Sequence, residues 1–155
     1  MNVIATNAQF ATGEAQLPPR TYHLSIPNNT TAPSLARGLV VGVLAVTGHP
    51  DLIDAARTCL SDLVTNVVQH APATPRIRID LTLTPDGRLV IGVQDNDPAP
   101  LPRPHVADEW AECGRGLFLV REMSEDFGVE HVRRGKGVCG KRVWCALRDH
   151  AGEWG

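Results

Sequence analysis

Alternating apolar and polar side chains predict that several segments of the chain are β-strands with one buried face. The clearest segment covers residues 76–84, where four apolar positions alternate with charged or polar ones. The predicted strands are residues 20–26, 76–84, 88–95, 127–133 and 138–147. Between the second and third strands, Pro85-Asp86-Gly87 indicates a tight turn, so these two strands should form a hairpin.

A helical period replaces this alternation between the first two predicted strands. The first helix should begin at Thr30 or Thr31, carry Pro33 in its first turn and end at Gly48, because glycine readily adopts the left-handed conformation of a helix end. We predict that it buries the face formed by Leu35, Leu39, Val43 and Val46, with Val40 and Leu44 beside it.

A second, longer helix should begin with Asp51 as its N-cap and end before Pro72. Asp54 in its first turn faces the positive end of the helix dipole. Its predicted core face comprises Ala56, Cys59, Leu60, Leu63, Val64, Val67 and Val68. A short third helix is predicted over residues 117–124, before the last two strands.

This order of elements predicts an α+β fold. Helices on one face of a mixed, mostly antiparallel sheet would form a two-layer α/β sandwich. Residues 1–19 have no sustained period and should be a flexible leader, residues 20–148 the folded domain, and residues 149–155 a tail. A chain of 155 residues has room for one such domain.

Composition narrows the classes of function. The net charge of −2 gives no basic excess, so we expect no direct contact with nucleic acid. The most apolar run, residues 38–48, is too short to cross a membrane, and no signal peptide is evident, which predicts a cytoplasmic protein without a membrane partner. The four cysteines lack metal-site spacing and should be small buried side chains.

Three polar residues on the second helix, Asp62, Asn66 and His70, are four positions apart and therefore form one row. The row lies at the border of the apolar stripe, so it can simply be a solvated edge. A carboxylate and an amide oxygen one turn apart would also suit proton transfer at a hydroxyl group and binding of Mg²⁺. The first two residues are therefore candidates for chemistry.

Two further signals flank the longest irregular stretch. Asp95 ends an apolar strand, where it can form an ordinary turn or provide a carboxylate that accepts a hydrogen bond from an amine. Gly114-Arg115-Gly116-Leu117 precedes the third helix. Glycines at a helix start can be a flexible loop end, or they can let backbone amides bind an anion.

The order of these signals resembles the GHKL ATPase superfamily, and most closely its anti-sigma-factor serine kinases of the RsbW/SpoIIAB type. The resemblance covers roughly residues 21–147. The stretches that carry it are LSDLVTNVVQH (60–70), VQDNDP (93–98), GRGLFLV (114–120) and GKRVW (140–144). It implies a histidine kinase-like ATPase fold with a site for ATP and Mg²⁺.

The resemblance also implies residue roles. Asn66 would hold Mg²⁺, Asp95 would bind the adenine amino group, and the motif Gly114, Arg115, Gly116, Leu117 would contact the phosphates. The loop over residues 96–113 would be the ATP lid, in which Trp110 is a candidate contact for a partner or the nucleotide. Asp62 would be the catalytic acid, at a position where the family typically has the longer glutamate.

The implied activity is that of an ATP-dependent serine/threonine protein kinase. Such a protein would phosphorylate a protein antagonist, sequester a sigma factor, and form a homodimer through its first strand and helix. The shorter Asp62 favours an alternative, a nucleotide-dependent switch that binds protein partners without catalysis. His70, at the end of the helix, would be a structural residue or would lie on the phosphate side of the site.

Overall fold

The computed structural model describes residues 17–98 and 115–149. The strands are β1 (Arg20–Pro27), β2 (Arg76–Leu83), β3 (Arg88–Asp95), β4 (Asp126–Arg134) and β5 (Gly137–Arg148). The helices are α1 (Ala32–Thr47), α2 (Ile53–His70) and α3 (Arg115–Met123), with a 3₁₀ turn at Pro50–Leu52. The predicted strands and helices all occur, with ends displaced by up to two residues.

The five strands form one sheet in the order β1-β2-β3-β5-β4. Each of the four neighbouring pairs is antiparallel. The predicted α+β fold is confirmed, although the described ranges contain no parallel pair of the kind that a mixed sheet includes. The predicted turn between β2 and β3 also occurs: Gly87 N–H donates to the Thr84 carbonyl over 3.1 Å, and Gly87 has φ 80°, which favours glycine.

Helix α1 buries a different face from the predicted one. Its buried residues are Ala32, Ala36, Val40 and Leu44. Leu35 and Val46 are instead 46% and 88% exposed. Since α1 packs against α2, the small side chains of Ala32 and Ala36 allow close approach of the two helices. The predicted helix end at Gly48 is confirmed by its left-handed φ of 81°.

Helix α2 has the predicted core face but a different start. Asp51 lies in the 3₁₀ turn, and the N-cap position of α2 is Leu52, which makes no side-chain cap hydrogen bond. A local turn therefore replaces the predicted aspartate cap. The buried residues are Ala56, Cys59, Leu60, Leu63, Val64 and Val67. Val68 is partly buried and packs against the core.

The two faces of the sheet differ in character. The helix-facing side forms the core with α1, α2 and α3. Its strand residues include Ile77, Ile79, Leu81, Leu89, Ile91, Val93, Val143, Cys145 and Leu147. The outer face is polar: Arg142 donates to Asp80 over 2.7 Å and to Glu130 over 3.1 Å. Trp144 has the same strand parity as Arg142, so it lies on this outer face.

A core position for Trp144 would be expected from its size, but the structure leaves it only half-buried. Trp144 pairs with Gly128 across the sheet, and a Cβ atom at Gly128 would lie 2.6 Å from the indole ring. The indole therefore occupies the space above a glycine on the outer face.

The cysteines separate into two environments. Cys59 and Cys145 are buried in the core, as predicted, whereas Cys139 is exposed and lies outside that pattern. The hydrogen bond with Cys59, together with burial, raises the pKa of the Cys145 thiol, so this thiol stays protonated and inert. Cys113, most of the predicted leader and the end of the predicted tail lie outside the described residues.

Candidate functional site

The helix α2 places Asp62 and Asn66 one turn apart on its half-buried side. Asp62 Oδ2 and Asn66 Oδ1 are shielded from solvent and have no hydrogen-bond partner within residues 17–98 and 115–149. A buried polar atom without a partner costs about 1–3 kcal/mol, and two such oxygens on one helical turn are rare in a stable domain. The pair therefore forms a polar site that an additional group could complete.

Burial also changes the acidity of this site. Desolvation raises the pKa of Asp62 above its ordinary value of 3.8, because a carboxylate loses hydration when it leaves water. A carboxyl group with a raised pKa is better suited to accept and release a proton near neutral pH. His70, in contrast, is exposed at the C-terminal end of α2.

Asp95 lies at the end of β3, on the face of the sheet that the helices cover. Its side chain is 2% exposed. The Lys141 ammonium lies 3.1 Å from Asp95 Oδ2 and 3.1 Å from Asp97 Oδ2. The backbone N–H of Asp97 donates to Asp95 Oδ1 over 2.8 Å. These contacts fix the orientation of the buried carboxylate and compensate its charge.

A hydrogen-bond chain holds the backbone that follows Asp95. The Thr74 side chain, 2% exposed, accepts the N–H of Asn96 over 3.0 Å. Asn28, next to the end of β1, donates its amide group to the Thr74 carbonyl over 2.8 Å and to the Ala71 carbonyl over 3.1 Å. The turn after α2 therefore connects β1 with the end of β3.

The backbone of β5 comes close to the backbone of β3 at Asp95, and this approach helps to hold the Asp95 carboxylate in place. Lys141 pairs in register with Asp95, and Gly140 precedes it. A Cβ atom at Gly140 would lie 2.0 Å from the carbonyl oxygen of Asp95, so a side chain cannot be accommodated without separating the two strands. Glycine at this position lets β5 bring Lys141 to the carboxylate.

The glycine motif is only partly described. Gly114 lies outside the described residues, as do residues 99–113 of the predicted lid, including Trp110. Arg115 and Gly116 form the first turn of α3. Leu117 is 5% exposed and belongs to the core, so its side chain anchors the helix start. The predicted phosphate contacts of this motif stay predictions.

Lys141 and Thr74 are two of the supporting residues of the site that the sequence patterns left without a role. The signal for Lys141 was available: in the alternation of β5, it shares the parity of the buried Val143, and a charged side chain at such a position requires a partner. Arg142, the next residue on β5, faces outward to Asp80 instead. The alternation of side chains along β5 therefore places Lys141 on the helix face and Arg142 on the outer face.

The geometry can now be compared with known proteins. The sequence profile of the histidine kinase-like ATPase domain, HATPase_c_2, matches residues 26–144. The chain belongs to this family. The predicted resemblance is therefore confirmed, and the matched range contains Asp62, Asn66 and Asp95. The comparison with curated protein sequences gave no significant match.

Solved structures share the fold of this histidine kinase-like ATPase domain. The crystal structure of the RsbU and RsbW domains of Rv1364c from Mycobacterium tuberculosis superimposes with a TM-score of 0.60 at 23% identity. That match covers 85% of this chain but 32% of the other, so our chain spans about one third of its length. A chain in the SiaB-SiaC complex from Pseudomonas aeruginosa gives a TM-score of 0.59 at 11% identity, covering 81% and 88% of the two chains.

Family membership gives the unpartnered oxygens a context, because the domain type implies ATP binding. The side-chain set fits that group. Asn66 Oδ1, which has no partner in the described ranges, is a hard oxygen of the kind that Mg²⁺ prefers. The Asp95 carboxylate has lone pairs beyond those used by Lys141 and Asp97, and it can accept a hydrogen bond from an amine.

Within the described residues, no helix is long and apolar enough to cross a membrane.

Proposed function

We propose that this protein binds ATP and Mg²⁺ and acts as an anti-sigma-factor-type serine/threonine kinase. In this proposal it phosphorylates a protein antagonist, sequesters a sigma factor, and works in the cytoplasm. The observation that carries it is the pair of buried oxygens on α2, Asp62 Oδ2 and Asn66 Oδ1, which have no partner within the described ranges. The match to the histidine kinase-like ATPase family supports the choice of ligand.

The proposed binding roles follow from the chemistry of each group. Asn66 offers a neutral oxygen, which can hold Mg²⁺ together with phosphate oxygens. Asp95 accepts a hydrogen bond from the adenine amino group, while the Lys141 ammonium and the Asp97 N–H keep the carboxylate in one orientation. Guanine would present its carbonyl oxygen to the same carboxylate, so we expect a preference for adenine.

The proposed catalytic role belongs to Asp62. Bound ATP would supply an activated phosphoryl group, and the protein's task is to position the acceptor hydroxyl and take its proton. The Asp62 carboxylate can accept that proton if it comes within about 2.6–3.2 Å of the hydroxyl oxygen. Its raised pKa suits this transfer near neutral pH.

A second candidate function is a nucleotide-dependent switch that binds protein partners without phosphorylating them. The observation in its favour is the side chain itself, because Asp62 is one methylene shorter than the glutamate typical of kinases of this type. Phosphoryl transfer depends mainly on position, so the shorter reach bears on catalysis and not on nucleotide binding.

Calorimetry tests the binding site. We expect Asn66→Ala to weaken ATP binding much more in Mg²⁺ buffer than in EDTA, since only the metal-dependent part of the affinity uses its amide oxygen. Ser61→Ala, five residues before Asn66 on α2, is the control. The Ser61 hydroxyl already accepts a hydrogen bond from Arg37 over 2.7 Å, so it is not one of the unpartnered oxygens. Equal losses for Asn66→Ala in both buffers would assign Asn66 to the polar edge of the helix.

A phosphoryl-transfer assay with labelled ATP and a candidate antagonist distinguishes a kinase from a non-catalytic switch. We expect Asp62→Asn to keep ATP affinity within a few fold and to lose transfer, since the amide cannot accept the proton. Asp62→Glu should transfer at least as fast as the natural protein. Transfer by Asp62→Glu but not by the natural protein would establish the switch. Undiminished transfer by Asp62→Asn would show that Asp62 is not the base.

The proposed homodimer rests on the exposed apolar side of α1. Val46 and Leu35 are 88% and 46% exposed, and β1 is an edge strand beside them in the chain. Burying such side chains between two copies would stabilise a dimer. We expect Val46→Glu to shift the mass measured by light scattering toward the monomer. An unchanged mass would place any interface elsewhere.

A further inference from the structure

The outer face of the sheet has a positively charged cavity, on the side opposite Asp62 and Asn66. Three arginines line this cavity, Arg78 of β2 and the neighbours Arg133 and Arg134 of β4. Gln94, Asn96 and Cys139 complete most of its wall, and the cavity volume is about 370 Å³. None of the described residues that line it is acidic.

The side chains of these three arginines have no partner among the described residues, unlike those of other arginines in the same sheet. The guanidinium groups of Arg78, Arg133 and Arg134 make no hydrogen bond or ion pair with the part of the chain that the structure describes. Four other strand arginines do have partners: Arg76, Arg88, Arg142 and Arg148. A cluster of unpaired guanidinium groups in a chain of net charge −2 is a local excess that favours an anionic ligand.

A neighbouring cavity extends the concave surface. It has a volume of about 420 Å³ and shares Arg78 and Gln94 with the first. Its other lining residues include His23 and Ser25 of β1. The two cavities together cross the sheet from β4 to β1, which is four strand spacings or about 19 Å. An extended peptide of about six residues has that length.

We propose that this groove binds an acidic, extended segment of a partner protein. The carboxylates of the segment would bind Arg133 and Arg134 at one end and Arg78 near the middle, through the paired N–H groups of each guanidinium. The side-chain amides of Gln94 and Asn96 can bind peptide N–H and C=O groups. The acidic residues of the segment lie toward β4, because the β1 end of the groove already contains the paired Asp80 and Arg142.

The composition of the groove distinguishes a peptide from a nucleic acid. Single-stranded nucleic acids bind by stacking their bases on aromatic side chains. Among the described lining residues of both cavities there is no Phe, Tyr or Trp. The inference does not depend on the proposed function, since Asp95 and α2 lie on the other side of the sheet.

Fluorescence anisotropy with labelled octaglutamate tests the proposal. We expect binding at low salt that weakens about tenfold or more in the double variant Arg133→Gln/Arg134→Gln and about threefold in Arg78→Gln. Labelled octaglutamine should not bind. Arg57→Gln is the matched control, because Arg57 is an exposed arginine on α2, away from the groove. It removes one charge, as Arg78→Gln does, but outside the groove, so the affinity should stay within about twofold.

Two results would overturn the proposal. Absence of octaglutamate binding, or equal weakening by Arg57→Gln and the double variant, would mean that the groove is not the site. Tighter binding of an eight-nucleotide oligothymidine than of octaglutamate would assign the face to nucleic acid. Two further measurements locate the ligand and test whether the variants fold. The amide NMR signals of the Gln94 and Asn96 side chains should shift when octaglutamate is added to the natural protein. Each variant should have the same thermal unfolding temperature as the natural protein.

Discussion

Lys141 and Arg142 are neighbours on β5 and face opposite sides of the sheet. Each of them lies between two carboxylates. Lys141 lies between Asp95 and Asp97 on the helix face, where Asp95 is 2% exposed. Arg142 lies between Asp80 and Glu130 on the outer face, where Glu130 is 58% exposed. The Arg142 guanidinium donates to both of its carboxylates, whereas on the helix face two oxygens of α2 have no hydrogen-bond partner within residues 17–98 and 115–149.

This difference is our basis for proposing that the outer ion pair is structural and that the helix-face pair supports a ligand site. The hydrogen bond with Asp80 raises the pKa of Arg142, so the guanidinium group stays charged. On the helix face, Lys141 contacts the buried Asp95, and Asp62 Oδ2 and Asn66 Oδ1 of α2 have no hydrogen-bond partner among the described residues. Stability alone would favour satisfying these two oxygens, which is why we propose that a ligand completes this face.

The largest expected effect concerns Gly140, which lets two strands approach, in comparison with Gly92, which makes room for side chains. We expect Gly140→Ala to lower the free energy of unfolding by about 4 kcal/mol, because its Cβ would meet backbone. Gly92→Ala should cost only about 1 kcal/mol, because its Cβ would meet the movable ends of Arg142 and Asp80 at 2.3 and 2.5 Å. Urea unfolding measures both, and similar losses would contradict the distinction.

Removing each cation tests the two clusters directly. Lys141→Met leaves Asp95 buried without its counter-charge, so we expect a loss of about 3 kcal/mol in the free energy of unfolding. Arg142→Met leaves carboxylates that water can reach, and the loss should be about 1 kcal/mol. If Arg142→Met proved the more damaging, the helix-face pair would not be the critical one.

Removing each carboxylate separates function from structure. We expect Asp95→Asn to weaken ATP binding about ten- to a hundredfold, since a hydrogen bond to a charged acceptor is worth about 1.5–3 kcal/mol. Asp80→Asn, the same change on the outer face, should leave affinity within about twofold. Calorimetry provides both values. Unchanged affinity of Asp95→Asn would remove Asp95 from the site.

The smallest effect concerns the pH dependence of stability. Burial raises the pKa of Asp62, so the folded state binds this proton more tightly than the unfolded chain. Its contribution to stability is therefore complete below the ordinary pKa of 3.8 and is lost as pH rises through the folded pKa. We expect Asp62→Asn to raise Tm by about 2 °C at pH 7, with a smaller gain toward pH 4.

The exposed Asp51 supplies the control for that measurement. Asp51→Asn removes an aspartate from the 3₁₀ turn before α2, and its change in Tm should not follow the same pH dependence. A gain for Asp62→Asn that stayed constant between pH 4 and pH 7 would contradict the role of burial.

The sequence predicted the elements well where the apolar period was unambiguous. Strand β2 and the core face of α2 are as expected, because only one face of each is apolar. Helix α1 is apolar on nearly every side, so its period could not choose between the Leu35 face and the Ala36 face. The structure buries the face with the small residues Ala32 and Ala36. Helix α1 packs against α2, and the sequence of α1 alone does not show this contact.

The candidate site was predictable in its motifs but not in its support. Asp62, Asn66 and Asp95 stand in recognisable stretches. Lys141 reaches Asp95 through the register of β3 with β5, and Thr74 reaches Asn96 across the turn after α2. Such contacts depend on how distant segments meet in space.

The strand order has a consequence for how the chain folds. The hairpins β2–β3 and β4–β5 join segments that are adjacent in sequence and can form within microseconds. Strand β1 is different, because its Arg20 must find Leu83 after both α1 and α2 have been traversed. Such a long loop closure is slow and entropically costly. We therefore expect β1 to join the sheet late in folding, and its amide protons to exchange with solvent before those of the central strands.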